Sequence, residues 1–138
     1  MKYKKLILEK KEYELLKRII SMSQFHRDKS YRASIEKLSD ELKTAKIVSN
    51  KKMPDDVIRI NSTVTIETPW NVKRSYQIVT PERSGLKQSR ISVLAPMGLA
   101  LFGYAKGDQI EWQFPRGINI IKILDVAQMG SSVKLEEI

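Results

Sequence analysis

The sequence predicts an α+β protein, an N-terminal antiparallel helical hairpin over residues 1–52 followed by a β-rich module over 53–138. Three observations carry that expectation. Apolar residues recur at helical spacing up to about Ala45 and change to alternation after Pro54. Tyr31, Ile35, Leu38, Leu42 and Ala45 follow one another at steps of four, three, four and three, a heptad seam. Charge divides at the same place. Residues 1–52 hold 15 Lys and Arg against 7 Asp and Glu, a net of +8, while 53–138 hold 10 against 9, a net of +1.

The first arm runs from about Glu9 to Ser23, with Tyr13, Leu16, Ile19 and Ile20 on one stripe and Leu15 and Met22 beside it. A polar break at His26, Arg27, Asp28, Lys29 and Ser30 separates it from the seam of the second arm. Each stripe finds its natural cover in the other, which predicts an antiparallel pair, a short coiled coil. Arms of about 15 residues reach about 22 Å at 1.5 Å per residue. Helices that short need further support, so the hairpin is expected to lean on the rest of the chain.

Beyond Pro54, Ile58, Ile60, Val64 and Ile66 are expected on one face of a first extended stretch. Pro69-Trp70-Asn71 turns the chain into a strand around Tyr76 and Ile78, and a loop from Glu82 to Gln88 precedes Ile91-Ser92-Val93. Pro96 to Gly103 reads as a short helix, with proline near its start and glycine near its end. Ile110, Trp112 and Phe114 alternate in the next strand. Pro115-Arg116-Gly117 turns into the last, Ile118 to Val126, where the apolar phase changes between Ile120 and Ile121 and predicts a bulge or burial on both faces. The sum is five strands, with one helix between the third and the fourth.

Composition narrows the chemistry. With no cysteine and one histidine, neither disulfides nor a Cys–His pair nor a histidine-centred metal cluster can be assembled. The six glycines are scattered at turns and form no phosphate-cradling loop. Asp55 and Asp56 are adjacent and point apart, as capping or solvated carboxylates do. No apolar run approaches the roughly 20 residues of a membrane span, and Glu9 interrupts the basic N-terminus before a signal-peptide core. The expectation is a soluble, cytoplasmic, monomeric binding protein that is not an enzyme and carries no cofactor and no metal.

The β-rich module resembles a known family. Asn61 to Ile66, Tyr76 to Val79, Ile91 to Gly103, Lys106-Gly107-Asp108 and Phe114 to Gly117 together look like the C-terminal domain of the bacterial Gre transcription elongation factors. Met53 to Val57 and the Ala95-Pro96 pair look more like the shorter Rnk branch, the regulators of nucleoside diphosphate kinase. The likeness covers residues 53–127 in motif order and the hairpin in architecture only. It implies an FKBP-like antiparallel β-sheet domain with one short helix, docking at the rim of the secondary channel of bacterial RNA polymerase. In the cleavage factors of the family the hairpin enters that channel, and acidic residues at its tip help hold a magnesium ion. Here the tip offers Asp28 alone, among His26, Arg27, Lys29 and Arg32, where a hard cation needs converging carboxylates. A short arm with such a tip predicts a polymerase-binding regulator that does not cleave RNA.

By position in the family's docking segment, the candidate contacts are Ala95, Pro96, Met97 and Gly98. Gre proteins usually carry Ser-Pro where this chain has Ala95-Pro96, so a hydroxyl contact is missing. Leu99, Leu101, Phe102 and Trp112 read as core. Trp70, a large apolar side chain in a turn, is a candidate interface anchor. Lys17, Arg18, Arg27, Lys29, Arg32 and Lys37 form a candidate electrostatic contact, or a solvated helical face. The alternative function they suggest is nucleic-acid binding through the hairpin, which salt would weaken steeply. Peptidyl-prolyl isomerisation would rest on the fold alone, a weak warrant.

Overall fold

The computed structural model of the chain describes residues 2–23, 29–85, 89–114 and 117–128, and describes residues 23, 29–31, 113 and 114 in their backbone only. A three-residue strand, β1 (Ile7–Glu9), runs into α1 (Lys10–Ser23). Glu9 caps that helix: its Oε1 accepts the backbone N–H of Glu12 at 3.1 Å, satisfying one of the donors a first turn leaves open. The second arm, α2 (Lys29–Lys43), leads into β2 (Lys46–Val48), which pairs in parallel with β1, Ile7 opposite Lys46. Leu16, Ile19 and Ile20 are buried on α1, and Ile35, Leu38 and Leu42 on α2, so the helical stripes fold inward as their spacing predicts. Met22 departs from the expected stripe and is 72% exposed. His26, Arg27 and Asp28 lie outside the described residues, as does the side chain of Tyr31.

After a 3-10 turn at Asn50–Lys52, the chain crosses to the sheet with Val57 and Ile58 fully buried. This crossing is zipped to the segment after the short helix: Ile58 N–H donates to Tyr104 O at 2.8 Å and Lys106 N–H to Asp56 O at 2.9 Å. The first extended stretch is shorter than alternation suggests. Asn61 takes φ 77°, and Ser62 Oγ accepts the N–H of Arg59 at 2.8 Å, so a turn separates Ile58 and Ile60 from Val64 and Ile66. Asparagine tolerates that left-handed conformation better than most residues.

The remaining elements are β3 (Thr63–Glu67), β4 (Lys73–Val79), β5 (Arg90–Ser92), α3 (Pro96–Leu101), β6 (Gln109–Phe114) and β7 (Gly117–Ala127). They form one five-stranded sheet in the order β5-β4-β3-β7-β6. Neighbours are antiparallel except β4 and β5, which run parallel with Ile78 opposite Ile91. Of the two devices expected at the phase change in the last strand, a bulge is present, but three residues beyond Ile121, and burial on both faces gives way to one open face with Ile118 and Ile120 on it. Thr65 faces Asp125 while Ile66 faces Ile123, which leaves Leu124 as the extra residue of a bulge. Ile118, 65% exposed, and Ile120 sit on the outer face, whereas Ile121 and Ile123 are buried.

Ile35 and Leu38 of the hairpin belong to the same contiguous apolar cluster as Ile58, Ile66, Leu101 and Ile121 of the sheet region. The helices therefore obtain from the sheet the support that their length demands.

Candidate docking site

The segment 92–98 is fixed by its own backbone. Ser92 Oγ accepts the N–H of Leu94 at 3.0 Å, and Ser92 O accepts the N–H of Ala95 at 2.9 Å. This tight turn brings α3 back across its own entry. A Cβ placed on Gly98 would stand 2.1 Å from Ser92 O, far inside contact distance, so only glycine fits there. Pro96 occupies the first turn of α3, where its lost N–H costs nothing and its fixed φ suits the helix. The side chains then sort themselves. Pro96 is exposed, Ala95 and Met97 are half-buried, Gly98 is buried, and Met97 packs on the apolar cluster. Of the four candidate positions, Pro96 presents its side chain to solvent and Gly98 supplies closeness. Ala95, with no polar side chain, offers no side-chain cap.

Pro96 stands at the wall of a groove of about 750 Å³ between α2, α3 and β6. Leu99, Tyr104, Ile110 and Trp112 line it, and Lys37, Glu41 and Glu111 add charge. Leu101 and Phe102 are buried, as core residues should be. Leu99 and Trp112, read from their spacing as core, are only half-buried and wall the groove instead. The spacing of Trp112 with Ile110 shows which face it shares; it carries no sign that β6 ends the sheet.

The basic candidates do not gather on one groove. Lys37 shares the groove of Pro96. Lys17 lies on a smaller one of about 230 Å³ with Tyr13, Ile20, Ser39, Leu42 and Lys43, its ammonium 5.3 Å from the centre of the Tyr13 ring. Arg18 is exposed on α1, and Arg32 Nε is buried with no hydrogen-bond partner among the described residues. Arg27 and the side chain of Lys29 lie outside the description. Trp70, 47% exposed, sits in the β3–β4 turn and is not among the residues lining the Pro96 groove. Among the described residues, no group of three His, Cys, Asp or Glu converges as metal ligands would, and no helix is long and apolar enough to cross a membrane.

Two polar contacts that sequence pattern did not reveal tie the N-terminal region to the crossing segment. The Arg59 guanidinium donates to Glu12 Oε1 at 2.7 Å and to Asn50 Oδ1 at 3.0 Å. Burial pushes the Glu12 carboxyl up, and the neighbouring Arg59 offsets that only in part. At the other contact, Asp56 accepts from the Lys2 ammonium and, at 2.7 Å, from the Tyr3 hydroxyl. Partial burial raises the Asp56 carboxyl, but the hydrogen bonds from Lys2 and Tyr3 together outweigh it, and Asp56 titrates below the usual carboxylate range. Residues 12 and 59 are 47 apart, and periodicity carries no sign of such a pair.

Residues 53–128 match the family described as transcription elongation factor, GreA/GreB, C-term. A GreA transcription elongation factor of Syntrophus aciditrophicus is 32% identical over 93 residues, 67% of this chain and 58% of that protein. One from Azorhizobium caulinodans is 28% identical over 119 residues, 86% of this chain and 71% of its own length. The regulator of nucleoside diphosphate kinase of Escherichia coli is 35% identical over 82 residues, 59% of this chain and 60% of that protein. The chain thus spans less than two thirds of the Syntrophus and Escherichia relatives. A solved GreA/GreB elongation factor from Nitrosomonas europaea superposes with a TM-score of 0.74 at 28% identity, over 89% of this chain and 98% of its own.

Proposed function

The chain belongs to the GreA/GreB transcription elongation factor family, close to its regulator of nucleoside diphosphate kinase branch, and from that premise we propose that it is a transcription regulator that binds bacterial RNA polymerase near the secondary channel without cleaving transcripts. In this reading residues 53–138 dock and residues 1–52 form the arm. The observation that carries it is Pro96: an exposed proline on a turn held by Ser92 and Gly98, inside the family-matched region. A rigid, solvent-facing apolar group loses little entropy on docking. The charged residues of the chain have a secondary part, steering the approach.

The non-cleaving half of the proposal rests on the arm. Helices of 14 and 15 residues span about 21 and 22 Å, and the sequence supplies one carboxylate, Asp28, between Ser23 and Ser34. Cleavage driven by a magnesium ion would need more than one.

Stalled bacterial elongation complexes test both halves. Alone, the protein is expected to leave the transcript length unchanged, and added before a cleaving Gre factor it should suppress that factor's cleavage in proportion to occupancy. Transcript shortening by the protein itself, abolished by Asp28→Ala, would replace this reading with a cleavage factor. Unimpeded cleavage at saturating protein would remove the shared docking site.

A further inference from the structure

The five-stranded sheet has two ends, and they differ. At one end β5 has three residues, Arg90–Ser92, and its entry is folded against Gly85 by a bridge between Gly85 and Arg90. At the other, β6 runs for six residues, Gln109–Phe114, and among the described residues pairs on one side only, with β7. A strand of that length without proline and with an open side is a template for pairing.

The register shows which backbone groups are open. Ile123 N–H donates to Asp108 O at 3.0 Å, and Ile110, Trp112 and Phe114 stand opposite Ile121, Asn119 and Gly117. In an antiparallel ladder the hydrogen-bonded positions alternate. Residues 108, 110, 112 and 114 therefore bond to β7, and the N–H and C=O of Gln109, Glu111 and Gln113 point away from it. Gln109, Ile110, Glu111 and Trp112 also line the groove between α2, α3 and β6. One wall of the groove is thus an open strand edge, and apolar surface from Leu99, Tyr104 and Trp112 lies beside it.

We propose that this groove receives an extended peptide segment of a partner protein, which adds to β6 as a further strand and sets side chains from alternate positions against Trp112, Tyr104 and Leu99. Main-chain bonds then supply affinity and the groove supplies selection. Charge decides the class of partner. The chain carries +9 overall, yet the groove holds two carboxylates, Glu41 and Glu111, against one ammonium, Lys37. That balance disfavours nucleic-acid phosphates and favours a peptide with basic residues flanking an apolar stretch. Pro96 stands at the wall of the same groove, but strand addition is carried by the β6 edge, so edge-amide protection and polymerase binding are separate readouts and either can fail alone.

The test uses the full chain with the peptide acetyl-KVTVTVK-amide, and the same peptide N-methylated at alternate residues so that its edge donors are lost. Amide exchange at Gln109, Glu111 and Gln113 is followed by NMR, with Trp112 fluorescence read in a Trp70→Phe background. The expected result is slowing of those three amides by about tenfold or more with the first peptide and none with the methylated one. Glu111→Pro removes an outward N–H, a change an edge strand tolerates, and should abolish the effect; Glu111→Lys, which keeps the N–H, should weaken it through repulsion of the basic peptide. Unchanged exchange at about 2 mM peptide would overturn the proposal, and so would equal binding of the methylated peptide. A single-stranded oligonucleotide protecting the same amides in place of the peptide would overturn it too.

Discussion

The turn at 92–98 and the seam between the N-terminal region and the crossing segment are both fixed parts of this chain, but different forces fix them. The turn is held by backbone: the Ser92 carbonyl, the Ser92 hydroxyl and a glycine that fits where no Cβ can. None of these groups titrates. The seam combines a shared apolar cluster with two ionised contacts, Glu12–Arg59 and Lys2–Asp56. Even those two differ. Burial dominates at Glu12 and raises its carboxyl, whereas donated hydrogen bonds prevail at the more exposed Asp56 and lower it. A docking surface built on the turn should thus keep its shape across pH and salt, while the attachment of the hairpin should respond to both.

The two largest breaks come from the turn and from the buried face of the hairpin. Gly98→Ala sets a methyl group on the Ser92 carbonyl and should cost at least about 2–3 kcal/mol in urea unfolding. Ile35→Ala empties a fully buried hairpin position and should cost about 2–4 kcal/mol. Because that residue shares its cluster with the sheet, far-UV circular dichroism at the helix band and Trp112 fluorescence in a Trp70→Phe background should lose the native signal together. Two separate transitions would mean that the hairpin unfolds by itself.

Arg59→Ala leaves a mostly buried carboxylate without its partner and should cost about 2 kcal/mol near neutral pH. The two carboxylates then give opposite pH signatures. The Glu12 carboxyl is raised, so the folded state holds that proton more tightly, and its contribution falls as pH rises from the ordinary value of 4.5 through its folded value. The Asp56 carboxyl is lowered, so its contribution is present above the ordinary value of 3.8 and is lost as pH falls through its folded value. Thermal melts across the acid range should lose the first slope in Glu12→Gln and the second in Asp56→Asn. Lys2→Ala, at an exposed contact, should give the smallest change, and added salt should erase it.

How much of this the sequence disclosed follows from how local each signal is. The α+β class, the succession of strands and short helix along the chain and the stripes at Leu16, Ile35, Leu38 and Leu42 rest on local signals, periodicity above all. The turn at Asn61, the strands β1 and β2 and the parallel pairing of β5 do not. Strands of three residues are too short to show alternation, and pairing direction depends on residues far apart in the chain. The candidate site divides in the same way. Pro96 was legible from its family motif, but the groove beside it needed Leu99 and Trp112 to be half-exposed, which turns on β6 closing the sheet on one side. The Glu12–Arg59 pair left no pattern at all.

The most direct test of the account is equilibrium binding of the intact chain and of Pro96→Arg to purified bacterial RNA polymerase. Pro96 is exposed, so the substitution should leave thermal stability within about 0.5 kcal/mol. The account predicts a one-to-one complex for the intact chain and a loss of affinity of about tenfold or more for the variant, the scale of a single interface anchor. Equal binding by both would move docking away from the Ser92–Gly98 turn, and no binding by the intact chain would contradict the proposed function itself.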